Sequence, residues 1–395
     1  MKKLTFVLAI LLITAGGCAG NKKSPTQKEA ATKQWNTARA TVLAQLAKSQ
    51  YESGSFDKSQ QTLNEAMALT PDNPGIHLLQ AKLCLEQGQL ERADRELKTV
   101  LTLDPKNAEA EYFSGVVYQR WQKPELAYEC YLRASEKAPE ELAYVLARAE
   151  MLVALNNSND ALTLLRGKLD FFEHNAVLHQ TIGQILLDQG KYDEAVAAFS
   201  QAAVLAPDDA SVRENLAMAQ FQNHQYREAA ATYGRMLRDD ANKQSADLWL
   251  ALGECQMQTS RARDARNSFE RATEVAASST AAWLSLAKCT LQLGDTKRAE
   301  LVLRKALALD AGSAEAHLML GYIRLRQDRL PEAMGEFQKA SALDSTDTVS
   351  LCMVGYVMEK TGKPEQALKY YAQALKIKPD DELASKLIAS VDLAN

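Results

Sequence analysis

The pattern of small, apolar and polar positions falls back on itself when the sequence is shifted by 34 residues. Counted from Ala40, position 8 reads Ala47, Ala81, Gly115, Ala149, Gly183, Ala217, Gly253, Ala287, Gly321 and Gly355. Position 20 is Ser59 and then alanine in every later repeat, from Ala93 to Ala367. Position 27 is alanine in most repeats, as at Ala66, Ala134, Ala202, Ala272 and Ala374. A period of this length marks a stacked array of small units that cannot bury their apolar faces alone. Bulk recurs at position 24 (Leu63, Leu97, Tyr131, Phe199, Phe269, Phe337), glycine at position 15 (Gly54, Gly88, Gly190, Gly294, Gly362), and proline at position 32 (Pro71, Pro105, Pro139, Pro207, Pro379). Together they predict two antiparallel helices per repeat. Small residues at 8 and 20 let the helices cross closely, glycine ends the first helix in a left-handed conformation, and proline stops the second.

Ten repeats are expected, at 40–73, 74–107, 108–141, 142–175, 176–209, 210–245, 246–279, 280–313, 314–347 and 348–381, followed by a capping helix within 382–395. The fourth departs from the pattern, with Asn156 at the turn, Lys168 at position 27 and Glu173 in place of proline. Two residues are added between the sixth and seventh, around Asn242 to Ser245. Both places are expected to be locally soft or to change the pitch. Gln27 to Ser53 reads as one helix, so the first helix extends ahead of the first repeat, and Trp35 on that extension is expected to pack.

The fifth repeat, with Ile182-Gly183, Leu186, Gly190, Tyr192, Ala195, Phe199, Ala202 and Pro207, resembles the tetratricopeptide repeat (TPR) family. The tenth is similar, with Gly355, Gly362, Ala367, Tyr371, Ala374 and Pro379. The resemblance implies an all-α, right-handed superhelical solenoid of about ten helix-turn-helix repeats. It also implies that positions 2, 5, 9, 12 and 13 of each first helix line a groove for partner proteins. On those positions lie Tyr51, Leu85, Tyr112, Val116, Leu187, Met218, Phe221, Met257, Leu291, Tyr322, Leu325 and Tyr356, an apolar stripe with aromatic and methionine members. Part of this stripe can instead pack between neighbouring first helices. The lysine and asparagine pattern by which one branch of the family clamps a terminal carboxylate is absent. Such a groove suits an apolar strand or an amphipathic helix.

The N-terminus follows another logic. Lys2 and Lys3 precede an apolar run from Leu4 to Ala15, broken only by Thr5 and Thr14, and Gly16-Gly17-Cys18 follows. The run is shorter than the roughly 20 residues a spanning helix needs, and it reads as a signal peptide over residues 1–17. Small residues leading into a cysteine resemble the lipobox of bacterial lipoproteins, although Ala15 stands where that family prefers leucine. The resemblance implies a lipidated Cys18, an anchor in the envelope and, with Ala19 next, the outer membrane facing the periplasm. Residues 18–39 then comprise the lipidated cysteine, a tether and the helix extension.

Composition adds exclusions. A formal net charge of -4, with cations spread along the chain, gives no electrostatic case for nucleic acid. Cys84, Cys130, Cys255, Cys289 and Cys352 lie in five different repeats with no close pair, and they read as small packing residues. His77, His179 and His317 share position 4 with Trp249 and Trp283, which marks a packing position and not a converging metal site. No phosphate loop, nucleophile elbow or metalloprotease helix is present. The expectation is a non-enzymatic protein without cofactor, metal or small-molecule substrate. It would be a lipid-anchored scaffold of an assembly or secretion machine (pilus, secretin or exopolysaccharide). A glycan-binding outer-membrane lipoprotein and a soluble periplasmic adaptor are the alternatives.

Overall fold

The computed structural model describes residues 25–239 and 242–394, so the expected signal peptide, Cys18 and the tether up to residue 24 lie outside the described residues. The described residues form 21 α-helices and one short 3-10 helix, with no strand among them. The chain divides into two compact units, residues 1–165 and 166–395. In the first, α1 (Pro25–Glu52) pairs with α2 (Phe56–Leu69), α3 (Pro74–Glu86) with α4 (Leu90–Leu103), and α5 (Ala108–Arg120) with α6 (Pro124–Lys137). Next come α7 (Leu142–Ala154) and α8 (Ser158–Arg166). The second holds α9 (Ala176–Asp188) with α10 (Tyr192–Leu205), α11 (Ala210–Gln222) with α12 (Tyr226–Met236), and α13 (Ala246–Gln258) with α14 (Ala262–Val275). It continues through α15 (Thr280–Gln292) with α16 (Thr296–Leu309), α17 (Ala314–Arg326) with α18 (Leu330–Leu343), and α19 (Thr348–Lys360) with α20 (Pro364–Ile377). Helix α21 (Glu382–Ala394) closes the series.

The crossing is solved in two ways in nine of the ten pairs, and the sixth combines Ala217 with the aromatic Tyr233. Where position 8 is glycine, position 24 is aromatic, and the ring lies flat on the missing side chain. A Cβ built on Gly115, Gly253, Gly321 or Gly355 would stand 2.4–2.5 Å from the ring of Tyr131, Phe269, Phe337 or Tyr371, and one on Gly183 would stand 2.9 Å from Phe199. Where position 8 is Ala47, Ala81, Ala149 or Ala287, position 24 is Leu63, Leu97, Leu165 or Leu303. All of these side chains are buried. The total volume at the crossing is conserved between the two solutions, as close packing requires. Ser59 replaces alanine at position 20 of the first repeat, and its buried hydroxyl donates to the Ala47 carbonyl at 2.8 Å.

Position 15 has a positive φ in all ten repeats. Five are glycines, and five are Gln122, Asn156, His224, Ser260 and Asp328, at φ 56–62°. The left-handed turn is therefore imposed by the packing of the pair even where no glycine favours it. First helices are capped by the side chains of Asn73, Asn107, Asn175, Asp209, Ser245, Ser279, Ser313 and Asp347. Each cap contributes about 1 kcal/mol. The fourth repeat lacks this cap at Glu141 and has the shortest second helix, nine residues in α8. The two residues added after the sixth repeat sit at the 3-10 helix Asn242–Gln244.

In five repeats an aromatic nitrogen at position 4 straps the first helix to the turn before it. Trp249 and Trp283 donate Nε1–H to the carbonyls of Lys243 and Ala277 at 3.1 and 2.9 Å. His77, His179 and His317 place Nε2 2.7, 3.2 and 3.4 Å from the carbonyls of Pro71, Glu173 and Ala311. In every case the acceptor lies six residues back. His77 and His317 also set Nδ1 2.6 Å from Glu96 and Glu336.

Two expectations are corrected here. Trp35 does not pack: it is 69% exposed, because α1 runs ahead of α2 and nothing described covers that stretch. Asp381, one of the acidic pair Asp380-Asp381 that its place in a turn between helices would leave solvated, is buried. Its carboxylate accepts from the Ala384 amide at 2.8 Å and the Thr348 hydroxyl at 2.7 Å, fixing the start of α21.

Candidate binding face of the first helices

Positions 2, 5, 9 and 12 or 13 of a helix fall on one side, since neighbours three and four apart share a face. In the first unit this face holds a pocket of about 340 Å³, at the low end of the size of small-molecule sites. Lys48, Tyr51 and Glu52 of α1 line it with Leu78 and Lys82 of α3 and Glu109 of α5. Tyr51 donates to Glu86 at 3.3 Å, and burial, seconded by that carboxylate, raises its pKa above the usual phenol value. Lys82 pairs with Glu109 and stands 5.0 Å over the Phe113 ring. Further along, Tyr112 stacks on Tyr144 at 4.9 Å and packs with Val116 against Tyr131. Burial first, and nearby Glu109 second, push the Tyr144 hydroxyl up to about 12.

Leu85 does not belong to the open face. It is 3% exposed, in the core with Ala81, Ala93 and Val116, while Arg120 donates to its carbonyl at 2.7 Å. Leu187 is half-buried.

In the second unit a pocket of about 270 Å³ has an apolar floor of Phe221, Met257 and Phe269, with Glu254 and Lys288 on its rim. Both charged residues occupy position 9 of adjacent first helices. Lys288 pairs with Glu315, repeating the Lys82–Glu109 pair at the same interval of 27 residues. Met218 is the most open member of the stripe, 39% exposed. Met257 and Leu291 pack half-buried against one core cluster, beside Leu250 and Leu284. Tyr322, Leu325 and Tyr356 gather around Phe337 and Val354, with Tyr322 edge-on to Phe337 at 5.4 Å. The structure thus joins the expected residues into local clusters, each held by two or three successive first helices.

Sequence reasoning missed Tyr144, which sits at position 3, and the lysine-to-glutamate ladder, whose signal was lysine at position 9 followed by glutamate at position 2 of the next repeat. The five cysteines outside the N-terminal segment are all buried and unpaired. Burial pushes the Cys130 and Cys352 thiols up to about 11 and Cys255 up to about 12, which suppresses the reactive thiolate. Among the described residues no group of three or more His, Cys, Asp or Glu could hold a metal ion. No helix among them is long and apolar enough to cross a membrane.

The helix pairs and their columns define an all-α solenoid of tetratricopeptide-type repeats. Comparison agrees segment by segment: residues 45–108 match a family described as tetratricopeptide repeat, and residues 183–224 one described as TPR repeat. Residues 209–395 match the family of the cilia and flagella-associated protein 70 C-terminal domain. Among curated proteins, the chain is 22% identical to the protein O-mannosyl-transferase TMTC1 of Homo sapiens over 45% of its own length, and 22% identical to the BBSome complex member BBS4 of Bos taurus over 56%. It spans 21% and 42% of those proteins. Among solved structures, a tetratricopeptide repeat protein from Parabacteroides merdae is 18% identical with a TM-score of 0.45, covering 64% of this chain and 99% of its own. YrrB, a TPR protein with an unusual peptide-binding site, is 22% identical with a TM-score of 0.38, covering 48% of this chain and 97% of its own.

Proposed function

We propose that this chain is a non-catalytic adaptor whose first-helix faces grip segments of partner proteins. The pocket floored by Phe221, Met257 and Phe269 carries the reading. At about 270 Å³ it falls just below the range of sites that enclose small molecules and has room for one large apolar side chain. Its floor is aromatic and methionine, residue types enriched at interfaces. Glu254 and Lys288 flank it with opposite charges that can set the direction of a bound segment. On this reading the partner is an apolar strand or amphipathic helix, and the chain acts in an assembly or secretion machine of a bacterial envelope, held by acyl chains on Cys18.

Two experiments test the proposal. A photo-crosslinking residue at Met218, Phe221 or Met257, expressed in the native cell, is expected to capture a discrete partner, and Met257→Glu is expected to abolish capture from Phe221 without loss of helicity. Crosslinking no better than from exposed Val204 on α10 would remove the groove from consideration. Cys18→Ser is expected to release the chain from the membrane fraction, and unchanged partition would end the anchor reading alone.

A further inference from the structure

The two ends of the array are finished differently. At the C-terminal end α21 lies over the last repeat, with Ala384 and Val391 buried against the cluster that holds Leu351 and Tyr371. At the N-terminal end nothing described performs that service. Val42 and Leu46 occupy positions 3 and 7 of the first repeat and are 64% and 49% exposed. In later repeats the same columns are buried, as at Ile76 and Leu248 at position 3 and Leu216, Leu252 and Leu286 at position 7. Ile76 shows the contact, packing in one cluster with Leu63 and Ala66 of α2, a bulky residue and an alanine three places on.

Helix α1 also overhangs. Residues 25–39 precede the first repeat and extend for about 22 Å at 1.5 Å per residue. At 3.6 residues per turn, Lys28, Trp35, Arg39, Val42 and Leu46 lie within an arc of roughly 60°. The overhang carries Lys28, Lys33 and Arg39 against the single carboxylate Glu29. The face therefore continues an interface that recurs between successive repeats, is covered by none of the described residues, and is cationic along the overhang.

We propose that this face seats one amphipathic helix of a partner protein, in the place a preceding repeat's second helix would take. That helix presents a bulky apolar residue and an alanine three places later to Val42 and Leu46, and carboxylates to Arg39 and Lys28. Among its described residues a second copy of the chain offers no such pair on a free face. Its own pairs at positions 24 and 27, from Leu63 and Ala66 to Tyr371 and Ala374, are already buried. This site is separate from the groove, and either reading can fail without the other.

The probe is a hydrocarbon-stapled peptide with the α10 sequence Tyr192–Leu205, which carries Phe199 and Ala202. Two glutamates are added at its C-terminal end. Successive helices joined by short turns are antiparallel, so that end meets Arg39, on the side of the overhang that carries Lys28. Fluorescence anisotropy with the full chain is expected to give saturable binding. Val42→Glu with Leu46→Glu should weaken it at least tenfold and Arg39→Glu several-fold, with Leu301→Glu, exposed on α16, as an unaffected control. Circular dichroism and the thermal midpoint confirm that the substituted chains stay folded. Absence of binding, or binding indifferent to Val42 and Leu46, overturns the proposal. So does self-association in the ultracentrifuge that the same pair of substitutions abolishes. Sedimentation with phosphatidylglycerol-containing vesicles that Trp35→Ala abolishes would likewise replace the partner helix with a lipid surface.

Discussion

The eighth and ninth repeats stand side by side in the second unit, solve the same two problems with different residues, and share one joint. At the helix crossing, α15 and α16 bring Ala287 to Leu303, while α17 and α18 bring Gly321 under the Phe337 ring. At the turn, the eighth repeat uses Gly294 at φ 81°, and the ninth forces Asp328 to φ 56°. At the joint between them, Glu300 of α16 receives a two-pronged grip from Arg324 of α17, at 2.8 and 3.0 Å. The lesson is that the fold fixes a volume and a backbone conformation, and leaves the means of meeting each one open.

The comparison can be broken most severely at the ring. Phe337→Ala is expected to cost about 3–5 kcal/mol, and more than Leu303→Ala, because Gly321 leaves no side chain to help refill the space. Denaturant unfolding followed by hydrogen exchange of α17 and α18 amides reads the loss locally, as an array need not unfold in one step. Gly321→Ala comes next. Its new Cβ would meet the ring at 2.4 Å, and overpacking of this kind costs about 1–3 kcal/mol, partly offset by alanine's helix preference. Adding Phe337→Leu recreates the eighth repeat and is expected to recover most of the loss, a coupling that a double-mutant cycle measures. If the double variant is no better than Gly321→Ala alone, the two solutions are not interchangeable.

The joint gives a smaller, pH-dependent effect. Hydrogen bonds from Arg324 hold the Glu300 carboxyl below its usual value, outweighing the opposing effect of burial. The folded pKa then lies below the unfolded one, about 4.3, so the contribution is complete above that pH and disappears as pH falls through the folded value. Glu300→Gln is expected to cost about 1–2 kcal/mol at pH 7, limited by partial screening. The cost should shrink as pH falls below the unfolded value of about 4.3, as parallel urea titrations would reveal. Least of all, Asp328→Gly is expected to stabilise by about 0.5–1 kcal/mol by relieving the left-handed strain, raising the thermal midpoint, whereas Gly294→Ala lowers it.

Much of this was legible in the sequence because steric demands recur at every repeat. The small columns marked the crossings, and prolines after α2, α4, α6, α10 and α20 marked where second helices stop. The pairing of glycine at 8 with an aromatic at 24 was equally written there, but only the contact between the two columns gives it meaning. Periodicity assigns a residue to a face without saying what covers that face. For that reason Leu85 turned out buried, Trp35 exposed, and Tyr144 a member of the aromatic stack without having been singled out. The left-handed turn at Gln122 or Ser260 could not be read from residue type, since neither favours it and the surrounding pair imposes it.

The ring-nitrogen straps at position 4 are distributed unevenly, and this has a mechanical consequence. Three consecutive joints, before Trp249, Trp283 and His317, carry one, whereas on either side the joint before Arg213 is held only by its flexible guanidinium, 3.2 Å from the Asp208 carbonyl, and Leu351 has no side-chain donor. Pulled along its length, the stretch from Lys243 to His317 should act as a stiff splint between two more compliant springs, yielding last when a load is applied.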